Sequence, residues 1–346
     1  VPFDLTRRPR GHGALLEGLW RAAASGRLPH ALLLRGPEGV GKFLAARWLA
    51  AGLLCQEGPE WPCGACGPCK RVASDNHPDL FVVDAVASGE RAITIPFVAP
   101  REGPATSGYS GPAIGDFLTL CAMEGGWRVV IVRELERMNV VAQNAFLKTL
   151  EEPGRDVLLV LECSRPAALL DTIKSRVVPL ALDRLSTADA AQVLEEVGVE
   201  DAALLARWSQ GAPGVAQRLA ARNALLLREI VLGVARGERN PVEAAAAIWE
   251  VEGDYPGKTP SAKRLLRAQT LLDVGLEVWL DLERSAAGAD AAELPHGDCL
   301  EGLWGLPVPL RERRLEAWLQ ARQDIALNLS PEALVDRALA AAALRD

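Results

Sequence analysis

Short, unbroken apolar runs alternate with helix-like stretches along the first half of this 346-residue chain. Residues 31–34, 80–83, 129–132 and 157–161 are each continuously apolar. Runs of that length fit strands buried on both faces, and strands separated by helices imply a parallel sheet covered on both sides. Residues 42–54 form a strong helix directly after a Gly-rich turn. Between 85 and 112 the chain is rich in Gly, Pro, Ser and Ala with no sustained period, which reads as a long surface insertion. From about residue 186 onward no strand pattern appears. Apolar residues recur at helical spacing over 188–197 and 202–209, with breaks at Gly198 and at Gly211-Ala-Pro-Gly214, and then over 265–282 and 310–326. Ser330 followed by Pro331 caps a final helix. The pattern predicts an α/β domain over 1–182, a small helical lid over 183–222 and a larger helical domain over 223–346.

Composition fits a folded protein, with 49% hydrophobic and 24% charged residues. The 38 basic and 45 acidic side chains leave a net charge of −7, which argues against a large basic footprint and against strong autonomous DNA binding. No apolar run reaches membrane-spanning length, and no apolar segment of a signal peptide follows the first charges, so a cytoplasmic protein without membrane contact is expected.

In such a compartment closely spaced cysteines are more often metal ligands than disulfides. Cys55, Cys63, Cys66 and Cys69 lie within 55–69, and Gly64 and Gly67 relieve the tight turns between the last three. Four thiolates suit tetrahedral zinc in a closed, structural site. The rival iron–sulfur cluster would call for a Cys-Pro three residues further on, which is missing here. Free thiols are the remaining alternative. Cys121, Cys163 and Cys299 are scattered and read as small buried apolar residues, and His77-Pro-Asp79 reads as a helix-to-strand connection rather than a fifth ligand.

The turn before the 42–54 helix is Gly36-Pro-Glu-Gly-Val-Gly-Lys42. Gly36, Gly39 and Gly41 let backbone N–H groups wrap phosphate oxygens, and Lys42 adds positive charge. The next position should be Ser or Thr, to hold magnesium, and is Phe43. The apolar run 129–132 should end in Asp-Glu and ends in Arg133-Glu134. Both protein contacts to magnesium are missing together, so ATP hydrolysis at this loop is not expected, and whether it still holds ATP or is only an anion nest stays open.

The segment Asn144-Ala-Phe-Leu-Lys-Thr-Leu-Glu-Glu-Pro153 resembles the Asn-Ala-Leu-Leu-Lys-Thr-Leu-Glu-Glu-Pro signature of AAA+ clamp-loader subunits. With the degenerate phosphate loop, the cysteine insert and His77-Pro-Asp79, the chain resembles the delta-prime branch of bacterial DNA polymerase III clamp loaders. That resemblance implies an AAA+ domain, a lid and a C-terminal helical collar for oligomerisation. It also implies motor (gamma/tau) and clamp-opening (delta) subunits as partners, with the sliding clamp and primed DNA reached through the complex. Ser175-Arg176 is similar to the family's Ser-Arg-Cys motif, with Val177 in place of Cys, which makes Arg176 a candidate finger toward a neighbouring subunit's ATP. The resemblance places Gly211-Ala-Pro-Gly214 where motor subunits carry a lid arginine; Arg218 is nearby, but nothing in the sequence puts it on a phosphate. Cys163-Ser164 occupies the polar sensor position. Trp279 and Trp318 read as core residues or, in a collar, as interface residues. Two other classes compete: an active clamp-loader ATPase of the gamma/tau type using Glu134 or Glu136, opposed by Phe43 and Arg133, and a zinc-dependent nucleic-acid module, opposed by the acidic balance.

Overall fold

The computed structural model describes residues 5, 8–57, 62–99, 109–124, 126–257, 259–327 and 329–344. The chain forms two compact units, Val1–Leu185 and Ser186–Asp346.

The first unit holds β1 (Ala31–Arg35), β2 (Leu80–Val83), β3 (Arg128–Val132), β4 (Val157–Cys163) and β5 (Val178–Ala181), all parallel in the order β2-β3-β4-β1-β5. Its helices are α1 (Gly13–Ala24), α2 (Lys42–Leu54), α3 (Gly67–Ala73), α4 (Ile95–Val98), α5 (Ile114–Thr119), α6 (Val140–Glu151) and α7 (Asp171–Lys174). Alternate strand residues face opposite sides. Leu33, Val130 and Leu159 share a core with Phe146 and Leu150 of α6, while α2 packs on β1, β3 and β4. Both sides of the central strands are therefore covered, which is why β3 is buried at every position.

Three expectations are corrected. The fifth strand is absent from the apolar-run reading because β5 is a mostly exposed edge strand, Val178-Pro-Leu-Ala181, whose proline cannot donate to a ladder. The predicted surface insertion contributes to the core: Ile93 bridges Met138, Phe97 and Val98 of α4 are buried, and Tyr109 stacks on Phe97 with ring centroids 3.6 Å apart. Residues 100–108 of that segment lie outside the described residues. Cys121 is exposed, whereas Cys163 and Cys299 are buried as expected.

In the second unit the described residues form helices and short 3-10 turns: α8 (Thr187–Glu196), α9 (Ala202–Trp208), α10 (Pro213–Ala221), α11 (Ala224–Arg236), α12 (Pro241–Glu250), α13 (Pro260–Ala286), α14 (Val308–Asp324) and α15 (Pro331–Ala342). Ser330 accepts from the Ala333 N–H, the predicted cap. Trp279 and Trp318 lie fully inside the core of α11–α15. Gly275 is what admits the second of them, since a Cβ there would lie 2.1 Å from the Trp318 ring. Arg314 is buried beside them, stacks 5.3 Å over Trp279, and donates to the carbonyls of Ala235 and Leu344 near the ends of α11 and α15.

Candidate metal centre and phosphate loop

The four predicted ligands converge. Cys55 caps the C-terminus of α2, Cys66 caps the N-terminus of α3, Cys69 lies in that helix and Cys63 precedes it. Their sulfurs lie within 4.8 Å of one another, with Cys55–Cys66 and Cys63–Cys69 separations of 3.9 Å. A tetrahedron with metal–sulfur bonds near 2.3 Å has edges of about 3.8 Å, so the cage already has the size of a tetrathiolate metal site. The Cys66 N–H donates to Cys63 Sγ at 3.3 Å, and Gly64 takes the φ of +69° that the knuckle turn requires. Backbone donors pull the Cys63 thiol down to about 7, while burial pushes Cys66 and Cys69 up. A cation is the partner that would hold all four as thiolates.

The phosphate loop joins β1 to α2. A Cβ on Gly36 would sit 2.0 Å from the Leu182 carbonyl, Gly39 and Gly41 have φ of +76° and +96°, and buried His12 bonds the Val40 carbonyl through Nε2 at 2.8 Å. Lys42 points into this structure. Its Nζ donates to the carbonyls of Gly36 (2.9 Å) and Pro37 (2.7 Å) and to Ser164 Oγ (2.8 Å), so all three of its donors are engaged. Burial lowers its pKa, opposed by Glu162 and Glu136, and burial raises that of Glu162. The Ser164 N–H donates to Glu136 Oε1 at 3.1 Å, and Glu134 pairs with Arg137. The two acids offered for an active site are thus tied into the scaffold.

The two departures from a motor site meet each other. Phe43 begins the first turn of α2 and Arg133 follows β3, and the guanidinium lies 4.2 Å from the ring centroid. Arg133 also donates to Asp84 at 2.6 Å and lies 3.6 Å from Glu162. Arg47 flanks Phe43 at 5.5 Å and donates to the Val72 and Ala73 carbonyls at the end of α3, with Asp75 at 2.9 Å. A cation–π stack and its counter-ions thus link the phosphate loop to the cysteine helix. Sequence reasoning missed Arg47, Asp84 and Glu162. Arg47 did leave a signal, being the only charged residue within 43–54.

The signature helix is α6: Phe146 and Leu150 are buried, and Gln143 ties it to α7 by accepting from the Leu170 N–H at 2.8 Å while donating to the Met138 carbonyl just before α6, also at 2.8 Å. Ser175 caps α7, its hydroxyl donating to the Thr172 carbonyl at 3.1 Å. Arg176 follows on the surface, against Glu151. Cysteine cage, phosphate loop and Ser175-Arg176 all belong to the first unit, whereas Gly211-Ala-Pro-Gly214 leads into α10 and Arg218 lies in the last turn of that helix, in the second.

This unit is a P-loop parallel-sheet domain of the AAA+ kind, with a four-cysteine insert after the loop helix. The sequence profile of the family described as "DNA polymerase III, delta subunit" matches residues 11–186, and the chain belongs to that family. It is 38% identical over 195 residues to the DNA polymerase III subunit delta' of Pseudomonas aeruginosa, 55% of each chain, and 33% identical over 162 residues to that of Bacillus subtilis, 47% of this chain and 44% of the relative. It is 27% identical over 253 residues to the DNA polymerase III subunit tau of Escherichia coli, 70% of this chain and 36% of the relative. The chain thus spans about half the length of the delta' relatives it matches. A gamma subunit-related protein of Thermotoga maritima has the same fold at a TM-score of 0.52 and 18% identity, covering 95% of this chain and 98% of that one.

Proposed function

We propose that this chain is a non-hydrolysing subunit of the delta-prime kind in a DNA polymerase III clamp loader. In that role it joins motor (gamma/tau) and clamp-opening (delta) subunits, residues 183–222 serve as lid and 223–346 as collar, and the assembly loads the sliding clamp on primed DNA in the cytoplasm. The observation that carries the reading is the Arg133–Phe43 stack, 4.2 Å from guanidinium to ring centroid, where a motor needs two magnesium ligands. Lys42, satisfied by its own loop and Ser164, supports it further. The cysteine cage is read as a structural zinc site, closed to substrate because four thiolates leave no open position. Arg176 is read as a finger reaching in trans to the γ-phosphate held by a motor subunit, its charge and planar fork suiting that oxyanion.

The test has two arms. Size-exclusion chromatography of the chain with motor and clamp-opening subunits is expected to give a stable complex of fixed stoichiometry. The chain alone is expected to show no magnesium-dependent ATP turnover, whereas Arg176→Ala is expected to assemble and yet lower clamp- and DNA-stimulated turnover. Turnover by the isolated chain that disappears in Lys42→Ala would replace this reading with that of an active ATPase.

A further inference from the structure

Arg176 lies just beyond the end of α7, where a long, flexible side chain has no intrinsic reason to keep one pose. It is nevertheless held from two elements. Glu151 Oε1, on the last residue of α6, accepts from Nε at 2.9 Å and lies 2.6 Å from the NH2 nitrogen. From α7, the Thr172 carbonyl accepts from NH1 at 3.0 Å and Ser175 Oγ lies 3.4 Å from the same nitrogen. Those anchors are themselves fixed, because Phe146, Leu150 and Ile173 are buried and Gln143 ties α6 to α7. The guanidinium has five donors, so one on NH2 stays uncommitted while the side chain is still 35% exposed.

We propose that Glu151 is a positioning residue for Arg176. It grips the Nε–NH2 edge of the guanidinium and so presents the one uncommitted NH2 hydrogen, already ordered, to the γ-phosphate of a nucleoside triphosphate on a neighbouring subunit. The inference rests on the trans-acting role given to Arg176 above. An ordinary exposed ion pair would affect only the stability of this domain, and weakly. A positioning contact instead changes turnover at the neighbouring site, through Arg176 and in no other way. Ordering one long side chain at an interface corresponds to about 2- to 13-fold in rate.

The experiment uses the full chain assembled with motor and clamp-opening subunits, and measures ATP turnover with clamp and primed DNA for wild type, Glu151→Ala, Glu151→Asp, Arg176→Ala and the Glu151→Ala/Arg176→Ala double variant. Glu151→Ala is expected to lower turnover at the adjoining site about 2- to 13-fold, and kcat of the whole complex by less, with KM little changed. Glu151→Asp should recover part of the loss, and the double variant should be no slower than Arg176→Ala. In the isolated chain, the Arg176 Nε–H resonance should be protected in wild type and exchange-broadened in Glu151→Ala. The proposal is overturned if Arg176→Ala slows turnover while Glu151→Ala does not, if Glu151→Ala slows the Arg176→Ala background further, or if the Nε–H signal ignores the glutamate. Should Arg176→Ala itself leave turnover unchanged, the finger reading fails and the role of Glu151 goes with it, a pattern distinct from the other three.

Discussion

At Phe43 and Arg133 two losses act as one replacement. Either residue alone would leave an anomaly: a phenyl ring where a hydroxyl should reach a metal, or a cation at the end of an apolar strand. The parallel fold sets the start of α2 beside the end of β3, so the ring covers the guanidinium while Asp84 holds its NH1. The pair therefore stabilises the domain through the same contacts that remove the metal ligands. Phe43→Ala is expected to lower the unfolding free energy by about 1–2 kcal/mol in a urea titration, below the cost for a fully buried Phe because the side chain is only partly covered. Phe43→Thr should bring a similar loss and no magnesium-dependent ATP turnover in a steady-state assay, because the Arg133 cation still occupies the position of the missing aspartate.

The cysteine insert shows the same logic at the level of an element. A seven-residue α3 cannot bury a core of its own, so the four-cysteine cluster at one end and the Arg47 cap at the other fix it to α2. Binding energies of roughly 10–16 kcal/mol in small zinc modules are ample for that task. The purified chain is expected to contain one zinc by elemental analysis; Cys66→Ser should lose it and become cleavable by protease within 55–75. Much of this was legible beforehand, since ligand spacing, glycine placement and the helix that supplies Cys55 are local properties of the chain. The strands β1, β3 and β4 and the amphipathic α13 and α14 were legible for a related reason: burial on both faces or on one stripe leaves a pattern in the sequence, whereas β2, read as a buried strand from its apolar run, is an edge strand with three of its four residues only partly buried. β5 left none, because an exposed edge strand with a proline obeys neither pattern. The core role of Phe97 was hidden by the Gly/Pro-rich residues around it, and the Arg133–Phe43–Arg47 stack by its assembly from residues brought together only by the sheet order.

Across the whole chain, the family match at residues 11–186 coincides with the first compact unit, Val1–Leu185. That unit carries the motif chemistry, whereas a helical core asks mainly for apolar volume at the right period and tolerates wide substitution. The second unit does contain one exacting residue. His296 is fully buried, its ring lies 4.4 Å from Trp208 edge-on, neither ring nitrogen has a hydrogen-bond partner among the described residues, and its backbone N–H donates to Asp281 at 2.9 Å. Burial, with Arg228 and Arg207 nearby, drives its pKa from 6.5 to about 3. The unfolded chain therefore takes up a proton below pH 6.5 that the folded unit refuses until about pH 3, so stability falls as the pH drops through that window. Between pH 7 and 5 the loss should be about 2 kcal/mol, and His296→Phe, which keeps the aromatic contact, should remove it. Because the cysteine cage lies in the first unit and His296 in the second, calorimetry of the full chain should separate them. Chelation at pH 7 should lower the transition of the first unit, and acidification to pH 5 should lower that of the second by a margin that His296→Phe reduces. A pH response unchanged by His296→Phe would mean that the ring is protonated in the folded unit.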